Sequence, residues 1–321
     1  IMRLAFMGTP EFALPSLKSL IDEPGFEVLL VITQPDKPRG RSGRPQMPPV
    51  KEEASSRGIP VLQPQTLKGN VDIENTLRDL ALDAVVVVAY GKMIPDALLA
   101  IPAHGFINVH ASLLPSFRGA APINRAIIQG CSKTGVSIMQ IDSGMDSGPV
   151  FMKSEVDIPE EEDALSLSNR LSTLGAENLL KTLMMLEQGK IEAVPQDHEK
   201  ATYAPMLKKE EGEIDWNRDP RTIHNMVRGL LPWPCAYTRL GPKNLKILKS
   251  SYLLDKHKLS PGTMFRRDHG LAVACRGGYL IPLVLQLEGK KAMDSRTFSN
   301  GLHTSRVMLG QGIPESSAEK L

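Results

Sequence analysis

Cysteine is scarce. The chain holds three, Cys131, Cys235 and Cys275, widely spaced and odd in number. They make neither a disulfide framework nor a C-x-x-C zinc pattern, so a reducing cytosol is the expected setting. No two of the seven histidines stand at H-x-x-x-H spacing, and no metal site is expected. Long apolar runs are also missing. The longest candidate, Ala84–Ala89, has strand length and falls far short of the ~20 residues that span a bilayer. Ile1-Met2-Arg3 leads straight into an apolar strand without the charged, apolar and small-residue regions of a signal peptide, so a cytoplasmic protein without a membrane partner is expected. Gly8-Thr9-Pro10 is not G-x-G-x-x-G, which leaves dinucleotide binding unsupported. The absence of G-x-x-x-x-G-K-[ST] removes a Walker-type nucleotide site.

The chain has enough apolar residues for a core. Hydrophobic residues are 41% and charged residues 23% of the 321, a balance that argues against wholesale disorder. The length favours two domains. The net charge of +2 conceals an asymmetry. Residues 1–207 carry 19 Lys/Arg against 25 Asp/Glu, whereas residues 208–321 carry 19 against 11. Within the acidic part, Lys37, Arg39, Arg41, Arg44 and Lys51 fall in one stretch with no acid. A basic domain plus one basic loop suggests a polyanion lying across both, although a solvated face and a loop would give the same counts.

As far as Glu187 the pattern alternates strand and helix. Arg3–Met7 reads as a strand, a helix follows through Phe12, Leu14, Leu17 and Leu20, and Glu27–Thr33 is the next strand. This is a βαβ unit with parallel strands. Gln34–Pro49 has too many prolines and glycines for a regular element. Further strands are expected at 60–63, 84–89, 105–110 and 135–141, with helices at 50–57, 71–80, 123–129 and 160–187. The polar stretch 189–207 reads as a linker. Beyond a helix at 220–230, short β-like runs separated by Gly, Pro, Asp and Asn suggest a small all-β barrel. Trp233, in Gly229-Leu-Leu-Pro-Trp-Pro234, reads as the buried indole of a turn. The expected organisation is an α/β domain with an open, mostly parallel sheet over 2–188, a linker over 189–207 and a basic β-barrel over 208–314.

In such a sheet, ligands bind beyond the carboxyl ends of strands. Asn108 and His110 alternate on one strand and so face the same side at its end. The loop Asp142-Ser-Gly-Met-Asp146-Ser-Gly-Pro149 offers a carboxylate that could reach His110. An amide can stabilise a developing oxyanion, an imidazole can move a proton, and a carboxylate can orient the imidazole. This set suits acyl transfer. No Ser or Cys carries a base-activated signature, which favours direct transfer over a covalent intermediate. On residue types alone, a satisfied loop histidine and a turn-capping aspartate remain the competing reading.

Asn108-Val-His110-Ala-Ser-Leu-Leu-Pro115, with Arg118-Gly119 and the downstream Asp146, resembles the 10-formyltetrahydrofolate-dependent formyltransferases. Phe6–Phe12, Thr33–Arg41, Glu213–Trp216 and Arg228–Pro234 narrow the resemblance to members that formylate methionyl-tRNA, and it extends over nearly all of residues 2–310. It implies a Rossmann-like folate-binding domain followed by an OB-like barrel that helps bind tRNA. Asn108, His110 and Asp146 would be catalytic. Ser112, Leu113, Leu114 and Pro115, with Ala89, Tyr90 and Gly91, would bind folate. Lys37, Arg39, Arg41 and Arg44 would meet the tRNA acceptor stem. The co-substrate would be 10-formyltetrahydrofolate, the partner initiator methionyl-tRNA, and the protein a monomer. The alternatives are a formyltransferase acting on an amino sugar nucleotide and a non-catalytic RNA-binding protein. The basic, proline-rich loop after Thr33 weighs against the first and the Asn/His/Asp set against the second.

Overall fold

A computed structural model describes residues 1–38 and 45–310. Its residues group into two compact units. The first comprises 1–122, 133–157 and 168–205; the second comprises 123–132, 158–167 and the chain from Met206 onward. The stretch read as a linker packs with the first unit as far as Pro205. Val194 there pairs with Val150, and Gln196 is buried.

The first unit is built on a seven-stranded sheet. In chain order its strands are β1 (Met2–Gly8), β2 (Phe26–Ile32), β3 (Lys37–Pro38), β4 (Pro45–Gln46), β5 (Val61–Leu62), β6 (Ala84–Val88), β7 (Phe106–His110), β8 (Lys133–Gln140) and β9 (Val150–Asp157). The large sheet runs β5-β2-β1-β6-β7-β8-β9, while β3 and β4 form a separate two-stranded ladder. Pairing is parallel from β5 to β7 and antiparallel for β8 and β9. From β1 the chain moves outward to β2 and β5 on one side, then to β6 and β7 on the other. The ends of β1 and β6 are therefore the topological switch point, where a ligand is expected.

Sequence explains these positions. β6 is Ala-Val-Val-Val-Val with every residue buried, as a strand covered on both faces requires. β9 alternates half-buried and exposed residues, as an edge strand can. The helices α1 (Leu14–Asp22), α2 (Pro49–Ser56), α3 (Val71–Asp79), α4 (Asp96–Leu99), α5 (Pro122–Ile128) and α6 (Ala164–Glu187) follow in order. Asn70 caps α3 by accepting from Ile73 N. Asp163 accepts from Ser166 N at 2.9 Å, which explains why α6 starts at Ala164 rather than at Glu160. Gly175 of α6 lies over β7. A Cβ there would meet Val109 Cγ1 at 2.6 Å and Val136 Cγ1 at 3.6 Å, so its bare backbone lets the helix press on the strand that carries Asn108 and His110.

In the second unit, α7 (Pro220–Gly229) opens on the Asp219 cap. The strands are β10 (Ala236–Leu240), β11 (Lys243–Leu253), β12 (Thr263–Arg267), β13 (Gly270–Cys275), β14 (Gly278–Leu287), β15 (Met293–Asp294) and β16 (Arg306–Met308), with α8 (Ser295–Asn300) before the last. They form a curled antiparallel sheet in the order β10-β11-β14-β13-β12-β16, with β15 beside β14. Gly310 N donates to Arg239 O at 3.0 Å, which draws the two ends of the sheet together into a curled half-barrel, in keeping with the small OB-like barrel expected. Trp216, 5% exposed, supplies the core indole and donates to Thr238 Oγ1 at 3.1 Å.

Trp233 is a correction. It is 54% exposed, not buried. Cys235 N donates to Leu230 O, and those two turn ends take the buried positions, which leaves the indole outside. Among the described residues no helix is long and apolar enough to cross a membrane.

Candidate active site

Asn108 and His110 stand at the carboxyl end of β7. Asn108 is in register with Val87 of β6 and Met139 of β8; His110 pairs with Ser137. Asn108 is half-buried and His110 buried. Among the described residues the Asn108 amide has no hydrogen-bond partner, so its donors are available to a ligand. His110 Nε2 lies 3.0 Å from Phe117 O. A carbonyl oxygen can only accept, so Nε2 carries the proton. His110 Nδ1 lies 3.6 Å from Asp146 Oδ2, an ion-pair distance rather than a hydrogen bond. The imidazole is thus held at one nitrogen by backbone and faced at the other by a carboxylate.

Asp146 belongs to the loop between β8 and β9. It has a left-handed backbone, φ 49°, which Asp tolerates better than most residues. Its Oδ2 accepts from Gly119 N at 2.7 Å. Gly119 itself has φ 114°, and a Cβ there would meet Ala204 O at 3.0 Å. Glycine is therefore what lets its N–H point at the carboxylate. The carboxylate expected within reach of His110 stands there, and Asn108 lies two residues before His110 on the same strand.

The residues assigned to folate by resemblance divide. Ser112 is fully buried, and its Oγ donates to Ser116 O at 2.6 Å. Leu114 is buried against Met139 and Val150. These two shape the loop rather than present side chains outward. Leu113 and Pro115 are half-buried. Ser137 Oγ donates to Ser112 O at 2.7 Å and accepts from Leu114 N at 3.0 Å, and Lys153 Nζ donates to Leu114 O. Ser137 and Lys153 went unnoticed in the sequence; they lie on β8 and β9, the second of which was not foreseen.

At the switch point lies a cavity of about 310 Å³. Thr9, Gln34, Lys37, Met47, Pro48 and Ala89 are among its lining. Ala89 is two residues beyond Val87, the neighbour of Asn108, so the cavity and the Asn/His pair occupy adjoining strand ends. Tyr90 is buried, with a phenol that lacks a hydrogen-bond partner among the described residues, and burial pushes its pKa up to about 12. Gly91 is exposed and has φ 81°. Gln34 Nε2 donates to Tyr90 O at 2.8 Å, and Lys37 Nζ to Gln34 Oε1 at 2.9 Å. Arg39, Arg41 and Arg44 lie outside the described residues.

The feet of that basic loop are tied. Lys51 Nζ reaches both oxygens of Asp36 at 2.9 and 2.8 Å and Gln63 Oε1 at 2.7 Å. Gln63 Nε2 donates to Asp36 Oδ1 at 2.7 Å and Gln34 O at 3.0 Å. The Lys51 ammonium, with Gln63, holds the Asp36 carboxyl below its usual range. The sequence reading expected no regular element here, yet Lys37 pairs with Gln46 and Pro38 with Pro45.

Residues 2–183 match the family described as formyl transferase, and residues 206–303 match the formyl transferase C-terminal domain. A methionyl-tRNA formyltransferase from Caldanaerobacter subterraneus subsp. tengcongensis is 44% identical over 319 residues, 99% of this chain and 100% of that protein. One from Geotalea daltonii is 48% identical over 301 residues, 94% of this chain and 95% of that protein. In fold the chain is similar to an N-formyltransferase from Helicobacter canadensis, solved with folinic acid and dTDP-3-aminofucose. The TM-score is 0.68 at 16% identity, over 88% of this chain and 99% of that one. HypX from Aquifex aeolicus, solved with tetrahydrofolic acid, gives a TM-score of 0.60 at 16% identity, over 94% of this chain and 47% of that one. At those identities the two structures speak for the fold alone. The family match across the sheet domain and barrel, and the relatives alike over nearly full length, establish that the chain belongs to the formyl transferase family.

Proposed function

We propose that this chain transfers the formyl group of 10-formyltetrahydrofolate to the α-amino group of methionine carried by initiator tRNA. The observation that carries this reading is the 44–48% identity, over nearly the whole chain, to relatives all named methionyl-tRNA formyltransferase. An amino sugar nucleotide as acceptor has only the fold-level likeness in its favour. In this reading residues 2–188 do the chemistry, and the basic region 208–314 carries tRNA phosphates, with Lys37 and the arginines of the basic loop at the acceptor stem. The setting is the cytoplasm.

Asn108, His110 and Asp146 take the catalytic roles. The neutral amine attacks the formyl carbon, a new C–N bond forms, and negative charge develops on the formyl oxygen. The unpaired Asn108 amide is the donor for that oxygen. The C–N10 bond then breaks, and a proton lost by the attacking amine ends on N10. His110, fixed through Nε2 and balanced by Asp146, is the group that relays it. The cavity beside these strand ends, with Ala89 in its lining, fits an organic co-substrate. The test is formyl transfer from 10-formyltetrahydrofolate to charged initiator tRNA, with charged elongator tRNA as the control acceptor.

A further inference from the structure

Arg118 is 4% exposed, yet among the described residues it meets no carboxylate within hydrogen-bonding distance. Its Nε and Nη2 both donate to Gln196 Oε1, at 3.1 and 2.8 Å, and Nη2 also lies 3.0 Å from His198 Nδ1. Gln196, 8% exposed, spends both amide hydrogens on one loop, donating to Asp146 O at 2.8 Å and Gly148 O at 2.7 Å. Every strong hydrogen-bonding group of this buried amide is thus committed. Its partners are the residue that precedes Gly119 and the residue that carries the carboxylate facing His110. The same stretch of chain also ties down the Gly119 loop through backbone. Arg118 N donates to Thr202 O, Ala204 N to Arg118 O, and Ala121 N to Ala204 O.

We infer that Gln196, bridged to Arg118, is a positioning residue that fixes Asp146 against His110. The inference rests on the catalytic reading of Asp146 given above. Asp146 is pinned at two points: its carboxylate by Gly119 N and its carbonyl by the Gln196 amide. Both points are set by the one Arg118–Gln196 joint. Its left-handed backbone, φ 49°, is a conformation that surrounding contacts must hold. Loss of the amide donors lets the loop relax and the carboxylate drift from the imidazole. A misplacement of about 1 Å in such a group costs on the order of 100-fold in rate.

A double-mutant cycle tests this. Gln196→Glu keeps an acceptor for Arg118 but removes both donors and sets a carboxylate against two carbonyl oxygens. It is expected to lower kcat roughly 10- to 100-fold, with KM for either substrate changed by less than about 3-fold. Asp146→Asn leaves intact the carbonyl that Gln196 grips. In that background Gln196→Glu should cost no more than about 2- to 3-fold further, because the two positions act as one unit. Arg118→Lys, which keeps the charge but loses the two-pronged contact, should show the same kcat loss and the same non-additivity. It serves as the second variant should Gln196→Glu fail to fold. A full-rate Asp146→Asn enzyme would defeat the catalytic reading itself. An impaired Asp146→Asn enzyme with losses that multiply across the cycle, or with Gln196→Glu and Arg118→Lys at full rate, would overturn the positioning role alone.

Discussion

The Asn108 amide, unpartnered among the described residues, and the His110 ring, held at Nε2 by backbone and faced at Nδ1 by Asp146, give different expectations for their variants. In the proposed mechanism, Asn108→Ala removes the donor to the developing charge and should lower kcat by about 100- to 1,000-fold. His110→Ala removes a proton carrier and should cost about 100- to 10,000-fold. Both should leave tRNA affinity within a few-fold, as measured by filter binding; a parallel loss of affinity would mean that these residues bind rather than catalyse. Their shared place on one strand was legible because they sit two residues apart in an apolar run. Gln196 was not legible. It lies in a polar stretch without period, and its partners are 48 to 78 residues away, so only the fold reveals its contacts. Ser112, whose place in the motif implies a ligand contact, has a hydroxyl bond to Ser116 O that likewise only the fold reveals.

Strands with a one-sided or fully buried pattern could be read directly, and β6 is the plainest. β9 escaped because Lys153 and Glu155 break its apolar run and its one strand neighbour in the sheet is the antiparallel β8. The feet of the basic loop escaped because Asp36, Lys51 and Gln63 come from three separate segments. Their contact carries a pH dependence. The Asp36 carboxyl is held below its usual range by Lys51, so the folded state binds its proton less readily than the unfolded chain. The stabilisation is fully present above the unfolded carboxylate value of about 3.9 and fades as pH falls through the lowered folded value. Asp36→Asn should therefore lower thermal stability by a constant amount from pH 8 to about 5, with the gap closing below about pH 4. A gap that closes instead between about pH 6 and 8 would mean that the pair does not hold the loop.

At the scale of the molecule, the charge split is the feature composition announced first. Residues 208–321 carry an excess of eight basic residues over acidic ones, whereas residues 1–207 carry an excess of six acidic ones. If the basic part carries phosphates, the log of tRNA affinity should fall linearly with log salt, and each contacting lysine or arginine neutralised there should reduce the slope by roughly 0.7 to 0.9. A slope near zero would remove the electrostatic platform while leaving the strand-end chemistry untouched. The most direct measurement is the rate of formyl transfer from 10-formyltetrahydrofolate to charged initiator tRNA, for the unaltered enzyme and for His110→Ala, with charged elongator tRNA alongside. Rapid formylation of the initiator by the unaltered enzyme, little of the elongator, and a loss of at least about 100-fold in the variant is the expected result; a variant as fast as its parent, or an enzyme that leaves the initiator unformylated, would contradict it.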